Sequence, residues 1–223
     1  MNERVTALRR MSMAAGLCLL VLMAMTLATG HSQQTFEFAG LPASYAARLL
    51  ASATSLHWLV VVDDVFIACY VTATLMFARE LNQATGDTAL TPWIAGLGLA
   101  AGLLDFTENH HILSLLRLAQ DSVPLDPAQL SLRETLSSLK WMAGHLAFFM
   151  VGVCLPATTG PLKALRSALL FVQLPVGAIA LVMGGLPLGE WFNWARLLNV
   201  LVGFVFLAAV VPLPRANGSG APA

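Results

Sequence analysis

Six apolar runs punctuate the chain, and each is long enough to be read as a helix that crosses a lipid bilayer. A membrane-spanning helix needs roughly 20 predominantly apolar residues. The runs cover 11–29, 55–77, 92–116, a fourth from about 136, 167–183 and 191–211. A helical pattern opening at Pro42 leads into the second run. Asp126-Pro127-Ala128-Gln129 reads as an N-cap, a proline at N1 and a glutamine at N3, and predicts an interfacial turn before the fourth. Pro175 predicts a kink in the fifth. The expected fold class is all-α: one six-helix transmembrane domain over residues 1–214, with a disordered Pro/Gly/Ala-rich tail at 215–223.

Composition agrees. Hydrophobic residues make up 57% of the chain and charged residues only 11%, against about a quarter charged in an ordinary soluble domain. A formal net charge of zero gives no reason to expect a nucleic-acid partner. Cys18, Cys69 and Cys154 all lie inside apolar runs and show neither metal-type spacing nor a disulfide framework. The first run follows Arg4, Arg9 and Arg10, as in a signal anchor or a cleavable signal peptide, and Ala28-Thr29-Gly30 would suit a signal peptidase. Its length favours an anchor. Basic residues near helix ends orient the rest. Arg79, Lys163, Arg166 and Arg215 fall with the N-terminal arginines, whereas the opposite side receives Arg48, Arg117 and Arg133 together with Glu37, Asp121, Asp126 and Glu190. The expectation is N-in and C-in, in a bacterial inner membrane, with the bilayer as the first partner.

Within the spans the polar residues are few and placed together. A central Asp, Lys or Arg costs about 2.5–3.5 kcal/mol on insertion, against about −0.3 to −0.6 for a good apolar residue. Asp63 and Asp64 in the second run therefore need partners, protons or water, and so do Asp105 and Glu108 in the third. At 1.5 Å per residue from each midpoint, Asp63, Asp64, Asp105 and His145 come out just outward of the midplane. Glu108, Lys140 and Arg196 lie further out. Asp105, Glu108 and Asn109 occupy i, i+3 and i+4 and share a face. Asp63 and Tyr70 are seven apart, so the adjacent aspartates belong to neighbouring stripes. Gly98 and Gly102 form a small-xxx-small step that lets another backbone approach.

Four carboxylates, one lysine and one arginine fall within these spans. Two carboxylates lack a basic partner in that count, and this surplus is the most functional-looking feature of the sequence. Arg196 is read as a residue that tunes those carboxyls or snorkels beside Trp191 and Trp194, and Lys140 as a partner for Asp105 or Glu108. Glu108-Asn109-His110-His111 holds one Glu-x-x-His step, the spacing that places two metal ligands on one helix face. The candidate ligand set is Asp64, Glu108, His111 and His145, but no second such step is present. Phosphate-cradling loops, nucleophile elbows, HExxH and CxxC are absent.

The segments Asp63-Asp64-Val65-Phe66-Ile67-Ala68-Cys69-Tyr70, Leu104-Asp105-Phe106-Thr107-Glu108-Asn109 and Leu139-Lys140-Trp141 resemble a pattern in a group of small bacterial multi-pass inner-membrane proteins of uncharacterised activity. That pattern is Asp-x-x-Phe-x-x-x-Tyr, then Leu-Asp-x-x-Glu-Asn, then a helix-borne lysine. The resemblance covers three of the six runs. It implies that Asp63, Asp105, Glu108, Asn109 and Lys140 form one constellation, and it supplies no activity or cofactor. The expected function is binding of a proton, a cation or a small polar or lipidic ligand, for transport or sensing. Asp64, Asp105 and Glu108 would be the accepting groups, and His145 a proton relay. Transport by so few helices would call for a homodimer. Two alternatives stay open: an intramembrane enzyme acting on a lipid or isoprenoid through a buried carboxyl, and a non-catalytic subunit whose ion pairs orient helices.

Overall fold

The computed structural model describes residues 3–183 and 189–213, and the 215–223 tail lies outside the described residues. Apart from one 3-10 turn at Gln33–Phe36, every regular element among them is an α-helix: α1 Glu3–Thr29, α2 Pro42–Ala51, α3 Ala53–Thr85, α4 Thr91–Gln120, α5 Pro127–Cys154, α6 Gly160–Phe171, α7 Gln173–Met183 and α8 Gly189–Val210. Local chemistry sets the boundaries. Gly30 and Gly86 take left-handed φ of 72° beyond α1 and α3, the conformation that ends a helix cheaply only at glycine. Asp126 caps α5 by accepting from Ala128 N at 2.9 Å, with Pro127 in the first turn.

Two expectations change. The segment from Pro127 is no separate turn: α5 runs unbroken for 28 residues, so Arg133 lies on a spanning-length helix rather than in a loop. The kink expected at Pro175 appears as a one-residue interruption at Val172, which keeps right-handed helical φ/ψ. Proline supplies no N–H to the Phe171 carbonyl four residues back, and the helix stops at Phe171 and restarts at Gln173.

Among the described residues, five helices are long and apolar enough to cross a membrane: α1, α3, α5, the run Gly160–Ile179 through α6 and α7, and Asn193–Val210 of α8. Helix α4 is equally long at 30 residues, but its own Asp105, Glu108 and paired histidines lower its hydropathy. Polarity is arranged inside out. Trp58, Val61 and Val65 on α3, Leu99, Leu103 and Phe106 on α4, and Leu139 and Met142 on α5 are exposed, while Asp63, Asp105, Glu108, Arg133 and Arg196 are buried. Such a surface suits surroundings that reward apolar contact and solvate no charge.

Helix α3 packs against α1 on one side and α4 on the other; α4 also packs on α5, and α1 on α8. The α3–α4 seam is closest where the two glycines were expected to permit it. A Cβ at Gly98 would lie 2.5 Å from Thr74 Cγ2, and one at Gly102 would lie 2.3 Å from Val71 Cγ2. Both α3 atoms belong to β-branched side chains with little rotamer freedom. Gly102→Ala should therefore destabilise the bundle by about 1–3 kcal/mol through overpacking. Adding Val71→Ala should restore most of it. Melting of both variants in detergent checks this, and a single variant as stable as the parent would show that the seam is loose.

Candidate functional site

Near the end of the bundle that carries the α1–α2 and α4–α5 connections, four elements contribute ionised side chains to one buried chain of contacts. Lys140 on α5 is its centre. Its Nζ lies 2.9 Å from Asp105 Oδ1 and 2.6 Å from Glu108 Oε2, both on the single α4 face that the i, i+3 spacing predicts. Glu108 is held a second time, by Arg133 Nη2 at 2.8 Å and by the Ser137 hydroxyl, which donates to Oε1 at 3.0 Å. The Tyr70 hydroxyl donates to Asp105 Oδ2 at 3.3 Å, so α3 joins the same network.

Glu37 completes it from outside the spanning helices. It is 3% exposed, although its place in a polar stretch between apolar runs reads as a solvated loop. Arg196 Nη2 on α8 pairs with its Oε2 at 2.8 Å, and the Trp141 indole N–H donates to Oε1 at 2.9 Å. Lys140 Nζ stands 3.9 Å from that same Oε1. The Arg196 guanidinium lies over the Trp141 ring, 3.7 Å from its centroid. Arg196 is therefore fully buried and does not snorkel to an interface. Burial alone disfavours the charge on Glu37. Arg196, Lys140 and the Trp141 indole N–H outweigh it, and the carboxyl is held below its ordinary value of 4.5.

Non-helical backbone around Glu37 is satisfied by side chains, as burial requires. The Phe36 carbonyl accepts from the Tyr45 hydroxyl at 3.0 Å and from Arg133 Nε at 3.2 Å. Ala39 N donates to Glu134 at 2.9 Å, and Arg48 donates to the carbonyls of Thr35, Phe38 and Ala39. Arg48 and Arg133, which the loop reading places as outer-side charges, instead fasten this segment over the bundle end.

A second group surrounds Asn109. Its amide nitrogen donates to Asp63 Oδ2 at 2.8 Å and Asp64 Oδ1 at 2.9 Å, and its oxygen accepts from Gln33 Nε2 at 3.0 Å. The two aspartates diverge, as neighbouring stripes should. Asp63 is buried, whereas Asp64 is half-buried and faces the exposed His110 at 3.6 Å. A third group runs from α8 through α7 to α5. Asn199 Nδ2 donates to Gln173 Oε1 at 2.6 Å, which leaves Gln173 Nε2 to meet His145 Nδ1 at 3.2 Å. His145 Nε2 is buried and has no hydrogen-bond partner. The ring fits against α7 because a Cβ at Gly177 would lie 2.3 Å from His145 Cδ2.

These groups meet around a cavity of about 100 Å³ inside the bundle. Gln33, Asp63, Tyr70, Asp105, Lys140, His145 and Gln173 line its polar part; Leu22, Phe66, Phe77, Val151, Phe204 and Leu207 line the rest. From Asp63 to Phe77 the lining follows α3 for about 21 Å at 1.5 Å per residue. Of the sequence candidates, Asp63, Tyr70, Asp105, Lys140 and His145 reach the cavity. Asp64, Glu108, Asn109 and Arg196 are not among its lining residues. The proposed metal ligands are not brought together: Glu108 is taken by Arg133 and Lys140, Asp64 by Asn109, and His145 by Gln173. Among the described residues no group of three His, Cys, Asp or Glu side chains is arranged to hold a metal ion. Glu37, Arg133, Gln33 and Gln173 are members that the sequence did not reveal.

Breaking a buried ion pair costs about 3–5 kcal/mol because the survivor stays charged and unpaired. Arg133→Met should lose stability of that order, and Arg133→Met with Glu108→Gln should regain much of it. A double variant that melts no higher than the single one would refute the pairing as helix glue. Glu37 has a depressed carboxyl, so its stabilising contribution is complete above 4.5 and disappears as pH falls through its lower folded-state value. Wild-type melting temperature should thus decline below pH 4.5 more steeply than that of Glu37→Gln. Parallel slopes for the two proteins would contradict this assignment.

No family model, no curated protein and no solved structure matches this chain, so its functional reading rests on this geometry.

Proposed function

We propose that this protein is a six-span membrane protein, N-in and C-in, that binds an amphiphilic small molecule inside its bundle, with the polar end among Asp63, Asp105, Lys140 and His145. In this reading α4 is the sixth span, because Leu99, Leu103 and Phe106 give it an apolar outer stripe at i, i+4 and i+7. Helix α1 remains part of the protein as an anchor, because Leu19, Leu22 and Thr26 contribute to the cavity wall. The observation that carries the reading is the cavity's lining. Asp63, Asp105, Lys140 and His145 line the same cavity as Leu22, Phe77, Val151 and Leu207, and that mixed lining suits a headgroup joined to a hydrocarbon tail.

The same lining argues against a purely helix-orienting role. Glu37–Arg196 and Glu108–Arg133 are paired by salt bridges, and that role accounts for them. It does not account for a cavity lined by Asp63, a buried carboxyl with no ion-pair partner among the described residues. Whether the bound molecule is carried, sensed or chemically altered depends on steps beyond binding.

Gly144 offers a direct test. It lines the cavity, and a Cβ there would meet nothing within 4 Å. Gly144→Phe should fill the space without distorting the helices, and replacing a mid-helix glycine favours α5. Native mass spectrometry should detect a long-chain amphiphile bound to the wild-type protein, and Gly144→Phe should bind it at least about tenfold more weakly. Equal uptake by both proteins would rule out this cavity as the binding site.

A further inference from the structure

Resting on that reading, we infer that the headgroup is cationic: the cavity is built for a long-chain amine whose ammonium pairs with Asp63. Among the ionisable groups that line the space, Asp63 and Asp105 bring two carboxylates and Lys140 brings one ammonium. Lys140 is committed to Asp105 at 2.9 Å, and Glu108 at 2.6 Å shares it. Asp63 receives only the amide of Asn109, at 2.8 Å on Oδ2. It is 6% exposed and has no ion-pair partner among the described residues. A buried carboxylate in that position calls for a counter-charge or a proton. The cavity provides room for the counter-charge and, beyond it, an apolar wall for a tail.

His145 supplies no counter-charge of its own: Gln173 Nε2 meets its Nδ1 at 3.2 Å, and its Nε2 edge packs against α7 at Gly177. A fatty acid would bring its carboxylate into a space whose lining already carries the negative excess. A plain alcohol would leave Asp63 without a counter-charge.

The test uses dodecylamine, dodecanol and dodecanoate against detergent-solubilised protein, with apparent Kd read from native mass spectrometry. Equal tail lengths hold the apolar contribution constant, and the ratio of two Kd values compared between variants cancels partitioning into micelles. Wild type should prefer the amine to the alcohol by at least about tenfold and bind the carboxylate worst. Asp63→Asn preserves the shape and the acceptor for Asn109, and it should bring the amine-to-alcohol ratio of Kd values to about one. Equal binding of the three probes, or a preference for dodecanoate, by a wild type that Gly144→Phe still blocks would overturn the cationic headgroup and leave amphiphile binding standing. Binding of none of them by wild type would overturn both. The wild-type ranking decides the matter even if Asp63→Asn does not fold.

Discussion

Lys140 carries an ammonium into the interior of the bundle, where its side chain is only 12% exposed, and the geometry of the polar half follows from how that charge is satisfied. Its flexible stem lets one nitrogen reach Asp105 and Glu108 on α4. Those two carboxylates then carry more negative charge than one lysine can balance. Arg133 supplies the difference on Glu108. Helix α5 thus presents Arg133, Ser137 and Lys140, spaced at the three- and four-residue intervals of one helical face, to the matching face of α4. Glycines fix the other side of α4 against α3. One helix is held by ions on one flank and by close backbone approach on the other, and neither flank can slide without the other losing its partners.

The segment between α1 and α2 obeys the same rule by another route. Its backbone enters a buried position with only one 3-10 turn of its own, so Tyr45, Arg48, Arg133 and Glu134 complete its remaining carbonyls and N–H groups. Having entered, it delivers Glu37 to Arg196 and Gln33 to Asn109. The carboxylate settles the charge of an arginine on α8 that would otherwise be uncompensated. A connection that reads as a loop is in effect the fourth element of the ionic layer.

What the sequence disclosed and what it withheld follow from the range of the interactions. The α4 face with Asp105, Glu108 and Asn109, the glycine step, the Asp126 cap and the effect of Pro175 all depend on neighbours within a turn or two, and periodicity exposes them. The Glu37–Arg196 pair joins residues 159 positions apart, and Arg133 reaches Phe36 across 97. No local pattern encodes either. Polar residues between apolar runs are solvated far more often than buried, so Glu37 and Arg133 carried no signal of their own. The aspartates of α3 lie between these cases. Adjacency placed them on different stripes, but only the packing of α4 decides that Asp63 turns inward and Asp64 toward His110.

Once every side chain with a structural partner is set aside, little polar chemistry in the bundle stays unexplained. Glu37, Glu108, Arg133 and Arg196 neutralise one another or Lys140 and are not among the residues that line the cavity. Asp63 and His145 do line it, and Asp63 has no ion-pair partner among the described residues. A bundle selected only for stability would gain by replacing that carboxyl with an apolar residue. Gln173 and Asn199 hold the imidazole beside the same space, and Gly177 clears room for it. A carboxyl kept without a counter-charge beside apolar walls favours the proposed binding role over ion-pair scaffolding alone.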